Sequence, residues 1–388
     1  MADLLLMVQK GMSINGLGVK IEKCLIPKFI GILKFLEQEK CGYFGEKIVD
    51  NTKTNEFDKN SLKMIWLKLT SKCNYKCIHC YDEGGCNSTE ELNLQEYKNI
   101  IDTFSSNFKI DTIQLTGGEP LLRGKKVITE LVDYISKKNI NIEIFSNLFF
   151  LDLDYIKIFK KYKINVATSF YSQYENIFDE ITKTKGSFKS VCNKIKLLKD
   201  HNIPIRTGII IMNQNSNEHT TLRNWINNEF GLTENKYPDI VRPVGRGETK
   251  GVVPKKLFES KHHITKEKLY QNIYKAKYNT IFHSCWGDKL SVESNGDMTA
   301  CIMSKVIVGN AKSTLDIVNL KKSYSYRFFT KDKVDTCKHC EYRYICFECR
   351  AMCINVDNEQ MTKPNFCTYN PYTGNWTVPK KCTLSLSH

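Results

Sequence analysis

The placement of the cysteines constrains this chain more than any other feature of its sequence. The 388 residues include 16 cysteines, and the start of the chain lacks the basic, apolar pattern of a secretory signal, so we do not expect a disulfide framework. Four cysteines are scattered along the chain, whereas the others fall into two groups, at 73–80 and 285–382. Cysteines grouped in this way indicate metal binding.

The first group is a short loop with the spacing C-x3-C-x2-C, formed by Cys73, Cys77 and Cys80. Three thiolates on one loop can hold three irons of a [4Fe–4S] cube and leave the fourth iron open. A structural zinc site normally uses four protein ligands. His79 could be the fourth, but it lies beside Cys80 and would have to fold back to share the metal. The spacing therefore favours a cluster over zinc and leaves both open.

Strand-like and helix-like patterns alternate between residues 64 and 244. Asn93 and Glu96 form a capping box at the start of one predicted helix. Six βα-like units predict a parallel sheet with helices outside it, either open or curled toward a barrel. In both cases ligands bind at the carboxyl ends of the strands. The predicted strands are Met64–Thr70, Ile110–Leu115, Ile140–Phe145, Ile164–Phe170, Ile203–Met212 and Asp239–Val244.

A second motif, Gly117-Gly118-Glu119-Pro120, follows the second predicted strand. Paired glycines let a backbone approach a ligand closely, and the glutamate could accept a hydrogen bond from an ammonium group. Taken alone, such a turn is typical of many strand ends. Its specificity comes from its position after the cysteine loop.

With both motifs in this order, the chain resembles the radical S-adenosylmethionine (SAM) superfamily over residues 62–245. The resemblance implies an α/β fold, a partial (β/α)6 barrel of the TIM type. It also implies that SAM binds the open iron and is cleaved by one electron to a 5′-deoxyadenosyl radical, which removes a hydrogen atom from an unactivated carbon. The positions that match SAM-binding segments are His79, Tyr81, Gly117, Gly118, Glu119, Pro120, Ser146, Asn147 and Ser169.

The second cysteine group lies near the C-terminus. Two CxxC-like pairs alone would fit a zinc ribbon, but these cysteines are more numerous than one zinc uses. Their order resembles the SPASM domain, which implies two auxiliary [4Fe–4S] clusters and three clusters in all. By that match an outer group is formed by Cys337, Cys340, Cys346 and Cys367, and an inner group by Cys285, Cys301 and Cys349.

This chain departs from the SPASM pattern because the interval between Cys346 and Cys349 is one residue short and Cys353 is additional. The fourth inner ligand is therefore open between Cys353, Cys382 and a substrate thiol. We divide the chain into an N-terminal preface of unknown role (1–61), the barrel (62–245), a polar, Lys-rich connection (246–282) and the SPASM domain (283–388).

Three segments resemble the grasp-with-SPASM peptide maturases. They are Val241–Gly247, which contains Arg242 and Arg246, the run around Cys340–Cys346, and the segment from Cys367 to Trp376. This resemblance implies a ribosomally made precursor peptide, an ATP-grasp partner enzyme and an external one-electron donor such as flavodoxin or ferredoxin. We interpret Tyr369, Tyr372 and Trp376 as packing around a cluster.

The net charge of +15 is spread along the chain without a concentrated basic block, so we expect no nucleic-acid partner. We also expect a cytoplasmic protein without membrane spans. The function implied is oxidative cross-linking of a peptide through a thioether or carbon–carbon bond. The alternatives are a protein maturase of the sulfatase-maturing type, a peptide epimerase with Cys382 as hydrogen donor, and a non-catalytic, metal-stabilised binding module.

Overall fold

The computed structural model describes residues 26–38, 57–83, 90–232, 238–352, 363–364 and 366–377. The chain divides into two compact units, residues 1–58 and 59–388. The described part of the first unit contains one helix, α1 (Ile26–Gln38). All other described elements belong to the second unit.

Nine strands of the second unit form one sheet. In chain order they are β1 (Ser61–Lys68), β2 (Lys109–Thr116), β3 (Asn141–Phe145), β4 (Asn165–Phe170), β5 (Ile205–Ile211), β6 (Asp239–Ile240), β7 (Lys289–Val292), β8 (Asp297–Thr299) and β9 (Ile307–Asn310). Their order across the sheet is β6-β5-β4-β3-β2-β1-β7-β8-β9. Neighbours from β6 to β7 are parallel, whereas β8 pairs antiparallel with both β7 and β9.

The six parallel strands predicted between residues 64 and 244 are confirmed, although β6 is reduced to two residues. β7 extends the sheet on the other side of β1, with Met64 opposite Lys289 and Leu67 opposite Val292. Because β7 belongs to the cysteine-rich segment, that segment continues the barrel sheet. A further antiparallel pair, β10 (Tyr369–Asn370) and β11 (Asn375–Trp376), lies near the C-terminus.

Helices connect the parallel strands. In chain order the helices of the second unit are α2 (Leu94–Asn107), α3 (Gly124–Ser136), α4 (Leu153–Lys161), α5 (Glu175–Thr182), α6 (Ser187–Asp200), α7 (Leu222–Phe230), α8 (Lys255–His262), α9 (Lys266–Tyr270), α10 (Ala276–Asn279) and α11 (Thr314–Asn319). The predicted capping box is confirmed, because the Asn93 side chain accepts from Glu96 N at 3.0 Å and Asn93 N donates to the Glu96 carboxylate at 2.8 Å.

Apolar side chains at helical spacing face the sheet. α2, for example, buries Tyr97, Ile100, Ile101 and Phe104, which lie three to four residues apart on one face of the helix. The hydroxyl of Tyr97 also donates to Lys68 O at 2.8 Å. This bond attaches α2 to the end of β1, where the cysteine loop begins.

Two features join the C-terminal segment to the barrel. The stretch 246–282, which the sequence suggests is a polar connection, contains α8, α9 and α10, and Phe258 of α8 is fully buried. Arg327 is also fully buried, and its guanidinium donates to the carbonyls of Lys59 (3.0 Å), Ser61 (2.9 Å) and Gly287 (2.8 Å). Within the described ranges, every helix is too short or too polar to cross a membrane.

Candidate active site

The C-x3-C-x2-C loop leaves the end of β1, and its three cysteines line one cavity of about 130 Å³. Two backbone bonds hold the loop against the end of α5: Lys76 N donates to Thr182 O at 3.2 Å and Ile78 N to Ile181 O at 2.9 Å. The last carbonyls of a helix have no partner within the helix. The loop therefore donates hydrogen bonds to carbonyl groups at the end of α5 that have no partner within the helix. These bonds fix the loop, so its three sulfur atoms are held at one cavity.

Electrostatics couple the three thiols. Burial raises the pKa of Cys73 to about 11 and that of Cys77 to about 12, and the charge of Cys80 adds to both shifts. The guanidinium of Arg246 opposes both shifts. Partly buried thiolates that repel one another need positive charge, which metal ions supply when they replace the thiol protons. The donor set therefore fits a cluster held by three cysteines.

The glycine turn packs directly on the start of this loop. A Cβ atom on Gly117 would lie 2.3 Å from Thr70 O, and one on Gly118 would lie 2.2 Å from Lys72 O. Hydrogen bonds of 2.8 Å run from Gly118 N to Thr70 O and from Glu119 N to Lys72 O. Side chains at these two positions would force the strands apart, so both must be glycine for the turn to reach the cysteine loop.

Glu119 joins the ends of β2 and β3. It is fully buried, and its carboxylate accepts from Ser146 Oγ at 2.7 Å, Asn147 N at 2.8 Å and Leu121 N at 3.0 Å. Burial raises the pKa of Glu119 to about 7, although these hydrogen bonds lower it. Among the described residues, the cavity wall includes Gly117 and Gly118 but neither Glu119 nor Pro120. Direct contacts of Glu119 and Pro120 with SAM stay predictions.

The ends of β3 and β4 supply polar wall residues. Ser146, Asn147 and Ser169 line the cavity, as do His79 and Tyr81. The Asn147 side chain donates to Asn74 Oδ1 at 2.8 Å, which ties the loop to the end of β3. The structure thus brings these predicted positions to one cavity beside the three cysteines.

Tyr171 is a wall residue that the sequence analysis missed. Its ring contacts His79, with the ring centroids 4.7 Å apart. Burial, then the charge of Arg246, lowers the pKa of His79 to about 4, so the imidazole is neutral near pH 7. His79 Nδ1 is buried and has no hydrogen-bond partner among the described residues, so it can hydrogen-bond a ligand. The position of Tyr171, two residues beyond Ser169 at a strand end, is the signal that could have found it.

The segment after β6 packs against the same loop. Arg246 N donates to Cys80 O at 3.0 Å, and a Cβ atom on Gly245 would lie 2.7 Å from that same oxygen. The Nε and Nη2 atoms of Arg246 are buried without a hydrogen-bond partner in the described part of the chain. They are donors suited to an anionic group at this site. Arg242 instead pairs with Asp239 at 2.8 Å.

A second cavity, of about 240 Å³, shares His79, Tyr81 and Ser169 with the first. Its wall also includes Ile302 and Met303, which directly follow an inner cysteine, Cys301. We call this space the central cavity. Its wall includes His79 of the cysteine loop after β1 and Arg242, whose side chain forms a hydrogen bond with Cys349 of the inner group.

The outer cysteines share a smaller cavity. Its wall contains Cys337, Cys340, Cys346 and Cys367, together with Tyr342, Tyr369 and Trp376. The rings of Tyr369 and Trp376 lie 4.8 Å apart between centroids. These two aromatic side chains pack beside the cysteines as predicted, whereas Tyr372 is 66% exposed.

The inner cysteines interact electrostatically with one another. Burial raises the pKa of Cys301 to about 11, and the charges of Cys349 and Cys285 add to the rise. Arg242 forms a hydrogen bond with the side chain of Cys349. Cys353 and Cys382 lie outside the described residues. Within the described ranges, no three His, Cys, Asp or Glu side chains are arranged to hold a single metal ion.

Two family models match the chain. The radical SAM superfamily matches residues 67–226, and the SPASM iron–sulfur cluster-binding domain matches residues 285–341. The first range contains the cysteine loop and the glycine turn. The second contains Cys285, Cys301, Cys337 and Cys340.

Two curated relatives come from Bacillus subtilis. The antilisterial bacteriocin subtilosin biosynthesis protein AlbA is 31% identical over 150 residues, which cover 38% of this chain and 33% of AlbA. The sporulation killing factor maturation protein SkfB is 32% identical over 154 residues, 39% of this chain and 36% of SkfB. This chain therefore spans about a third of the length of each relative.

The solved structure of Streptococcus suis SuiB bound to S-adenosylmethionine has a similar fold. Its TM-score is 0.61 at 15% sequence identity, and the alignment covers 90% of this chain and 89% of SuiB. The parallel sheet, the three-cysteine loop and the cysteine-rich continuation define an α/β protein built around iron–sulfur sites. The chain carries a radical SAM domain with an α/β, partial (β/α)6 barrel fold and, C-terminal to it, a SPASM domain.

Proposed function

We propose that this protein is a radical SAM peptide maturase that installs an oxidative cross-link in a ribosomally made peptide. The observation that carries the proposal is the central cavity, which adjoins the cysteine loop after β1 and the residues that follow Cys301. A substrate residue in this cavity would lie beside His79 of the cysteine loop and beside Arg242, which contacts Cys349 of the inner group. The names of AlbA and SkfB, which describe peptide biosynthesis and maturation, support a peptide as substrate.

When bound, the cluster and SAM supply a 5′-deoxyadenosyl radical that removes one hydrogen atom from a substrate carbon. Cys73, Cys77 and Cys80 would hold that cluster. Gly117 and Gly118 carry no side chain, so the backbone at these positions can approach SAM closely. The neutral His79 and the hydroxyl of Ser169 orient SAM through hydrogen bonds. Thr116, Ser146 and Phe178 form a buried part of the wall of the cavity beside the three cysteines. Exclusion of water from this side protects a reactive intermediate from side reactions.

Cross-linking is favoured because it explains the second set of cysteines. Once a carbon radical forms a new bond to sulfur or carbon, one further electron must leave the product. Cys285, Cys301 and Cys349 would hold the group that accepts it. An external one-electron carrier, flavodoxin or ferredoxin, and an ATP-grasp partner complete the proposed system.

The wall of the central cavity favours an uncharged substrate side chain. Arg206 lines it but is engaged by Glu143, with its Nε and Nη2 each 2.7 Å from a carboxylate oxygen. Arg242 is likewise engaged by Asp239. Most other wall residues are apolar or aromatic, among them Trp66. Such a cavity suits one apolar or thiol-bearing residue of the peptide.

Product mass tests this proposal. The reconstituted protein is incubated anaerobically in deuterated water with SAM, a reductant and, one at a time, the peptides of any short open reading frames found beside its gene. The expected product has lost two hydrogens per modification and is joined internally. In the variant Cys349→Ala, we expect 5′-deoxyadenosine to form while the cross-linked product is lost, whereas the control Cys192→Ala, on α6, retains both.

The alternatives give different products. An unchanged bond pattern with one solvent deuterium at an α-carbon would mean epimerisation and would refute cross-linking. Oxidation of a folded sulfatase, with no change in the peptide, would identify a protein maturase. Near-stoichiometric zinc without sulfide would identify a binding module.

A further inference from the structure

A buried ionic network lies beside the outer cysteine group. It consists of Lys331, Glu348 and Arg350, whose exposed fractions are 8%, 6% and 0%. Lys331 Nζ is 2.9 Å from a Glu348 carboxylate oxygen, and the Arg350 guanidinium pairs with the same carboxylate. In sequence Glu348 lies between Cys346 of the outer group and Cys349 of the inner group. The network is therefore attached to both sets of cysteines.

Two cations share one carboxylate in this network, because both Lys331 and Arg350 pair with Glu348. Water has little access to these side chains, so their charges are poorly screened. A buried ammonium group that shares its carboxylate with a second cation is stabilised further when it faces another negative group.

Lys331 faces the outer cysteines. It lines the same small cavity as Cys337, Cys340, Cys346 and Cys367. Burial lowers its pKa, but the charges of Glu348, Cys346 and Cys337 outweigh burial and raise that pKa above its usual value. The ammonium group and the thiolates therefore stabilise one another in a region of low dielectric.

We propose that Lys331 is a buried counter-charge that raises the reduction potential of the iron–sulfur cluster of the outer cysteines. A nearby cation stabilises the additional negative charge that a cluster acquires on reduction. A raised potential makes the outer cluster a better acceptor for the electron released by cross-linking, which a one-electron carrier protein then removes. The proposal rests on the auxiliary clusters of the proposed function and not on the identity of the peptide.

Opposite charge changes test the proposal. The full chain carrying Cys73→Ala, Cys77→Ala and Cys80→Ala is reconstituted, so that the auxiliary clusters alone contribute to the spectra. Redox titration followed by electron paramagnetic resonance then gives the potential of each cluster. We expect Lys331→Gln to lower the outer potential by about 59 mV or more, a tenfold change in a one-electron equilibrium. Glu348→Gln should raise it.

Two further variants serve as controls. Lys338 directly follows Cys337, but its side chain is 46% exposed and pairs with Asp335, so solvent screens its charge. Lys338→Gln should shift the potential less than a third as far as Lys331→Gln does. Lys331→Arg retains the charge and should keep the wild-type potential.

Shifts of the same sign in Lys331→Gln and Glu348→Gln would overturn the proposal, because loss of packing does not depend on the sign of the charge. A shift in Lys331→Arg as large as that in Lys331→Gln would also overturn it. If Lys331→Gln fails to assemble the outer cluster, the Glu348→Gln variant decides. A rise in the reduction potential of the outer cluster supports the proposal, and no rise in that potential refutes it. The titration uses no peptide, so failure of the counter-charge is distinct from failure of the cross-linking reaction.

Discussion

Replacing Gly118 by alanine should separate the glycine turn from the cysteine loop. The added Cβ atom would lie 2.2 Å from Lys72 O, 2.6 Å from Lys72 C and 2.8 Å from Ser71 O. All three atoms belong to the backbone, so no side-chain rotation can relieve the contact. Either the turn or the start of the loop must move. The hydrogen bonds from Gly118 N to Thr70 O and from Glu119 N to Lys72 O are then stretched.

The size of the effect follows from these contacts. Each lost backbone hydrogen bond costs about 1 kcal/mol, and overpacking adds about 1–3 kcal/mol. We therefore expect Gly118→Ala to lower the free energy of unfolding by about 3–5 kcal/mol. Gly117 and Gly118 line the cavity beside the three cysteines, where we propose that SAM binds. Affinity for SAM should therefore fall at least tenfold.

Urea unfolding followed by tryptophan fluorescence, together with anaerobic equilibrium dialysis of SAM, measures both effects. Gly208→Ala in β5 is the matched control, because its Cβ atom would meet Thr168 O at 3.8 Å, an ordinary contact. That variant should differ from the wild type by less than about 1 kcal/mol. Wild-type stability and SAM affinity in Gly118→Ala would refute the argument.

Three other predictions concern charge burial and iron content. Lys68→Met should lower the free energy of unfolding by about 3–5 kcal/mol, because Lys68 lies 2.5 Å from Asp82 and 2.6 Å from Glu293 with 5% of its side chain exposed. Lys125→Met is the control in urea titrations: Lys125 pairs with Asp152 and Asp154 but is 41% exposed, so the variant should lose far less stability than Lys68→Met does. Arg327→Met should destabilise the protein by an amount similar to that for Lys68→Met, because the fully buried guanidinium is removed and the carbonyls of Lys59, Ser61 and Gly287 lose their donor. Unchanged urea unfolding would contradict this. Anaerobic reconstitution should give about twelve irons per chain, as three cubane clusters require; about four irons with full activity would mean that the C-terminal cysteines bind another metal.

Local patterns were sufficient to predict the parallel strands and the cap at Asn93. Strand alternation and capping depend on neighbours within a few residues, and both signals are strong between residues 64 and 244. The pairing of β7 with β1 was missed because it is non-local and β7 has only four residues. The short helices between 246 and 282 were missed because few apolar positions mark them, although Phe258 is buried there.

The candidate site was predictable where chemistry imposes a spacing. Three cysteines on one loop and two adjacent glycines are recognisable without a structure. In contrast, the sequence does not distinguish Lys331, which pairs with a buried carboxylate, from the many exposed lysines of this chain. Glu119 shows a similar limit, since its residue type suggested a ligand contact while its three hydrogen bonds to the chain depend on the arrangement of β2 and β3.

The most direct test of the radical SAM assignment is reductive SAM cleavage by the variant Cys73→Ala, Cys77→Ala, Cys80→Ala. The wild type, reduced under anaerobic conditions, should form 5′-deoxyadenosine and methionine, and Cys192→Ala should match it. The triple variant should form neither product while it keeps about eight irons in its auxiliary clusters. Cleavage at the wild-type rate in the triple variant would contradict the assignment of the open-iron site to this loop.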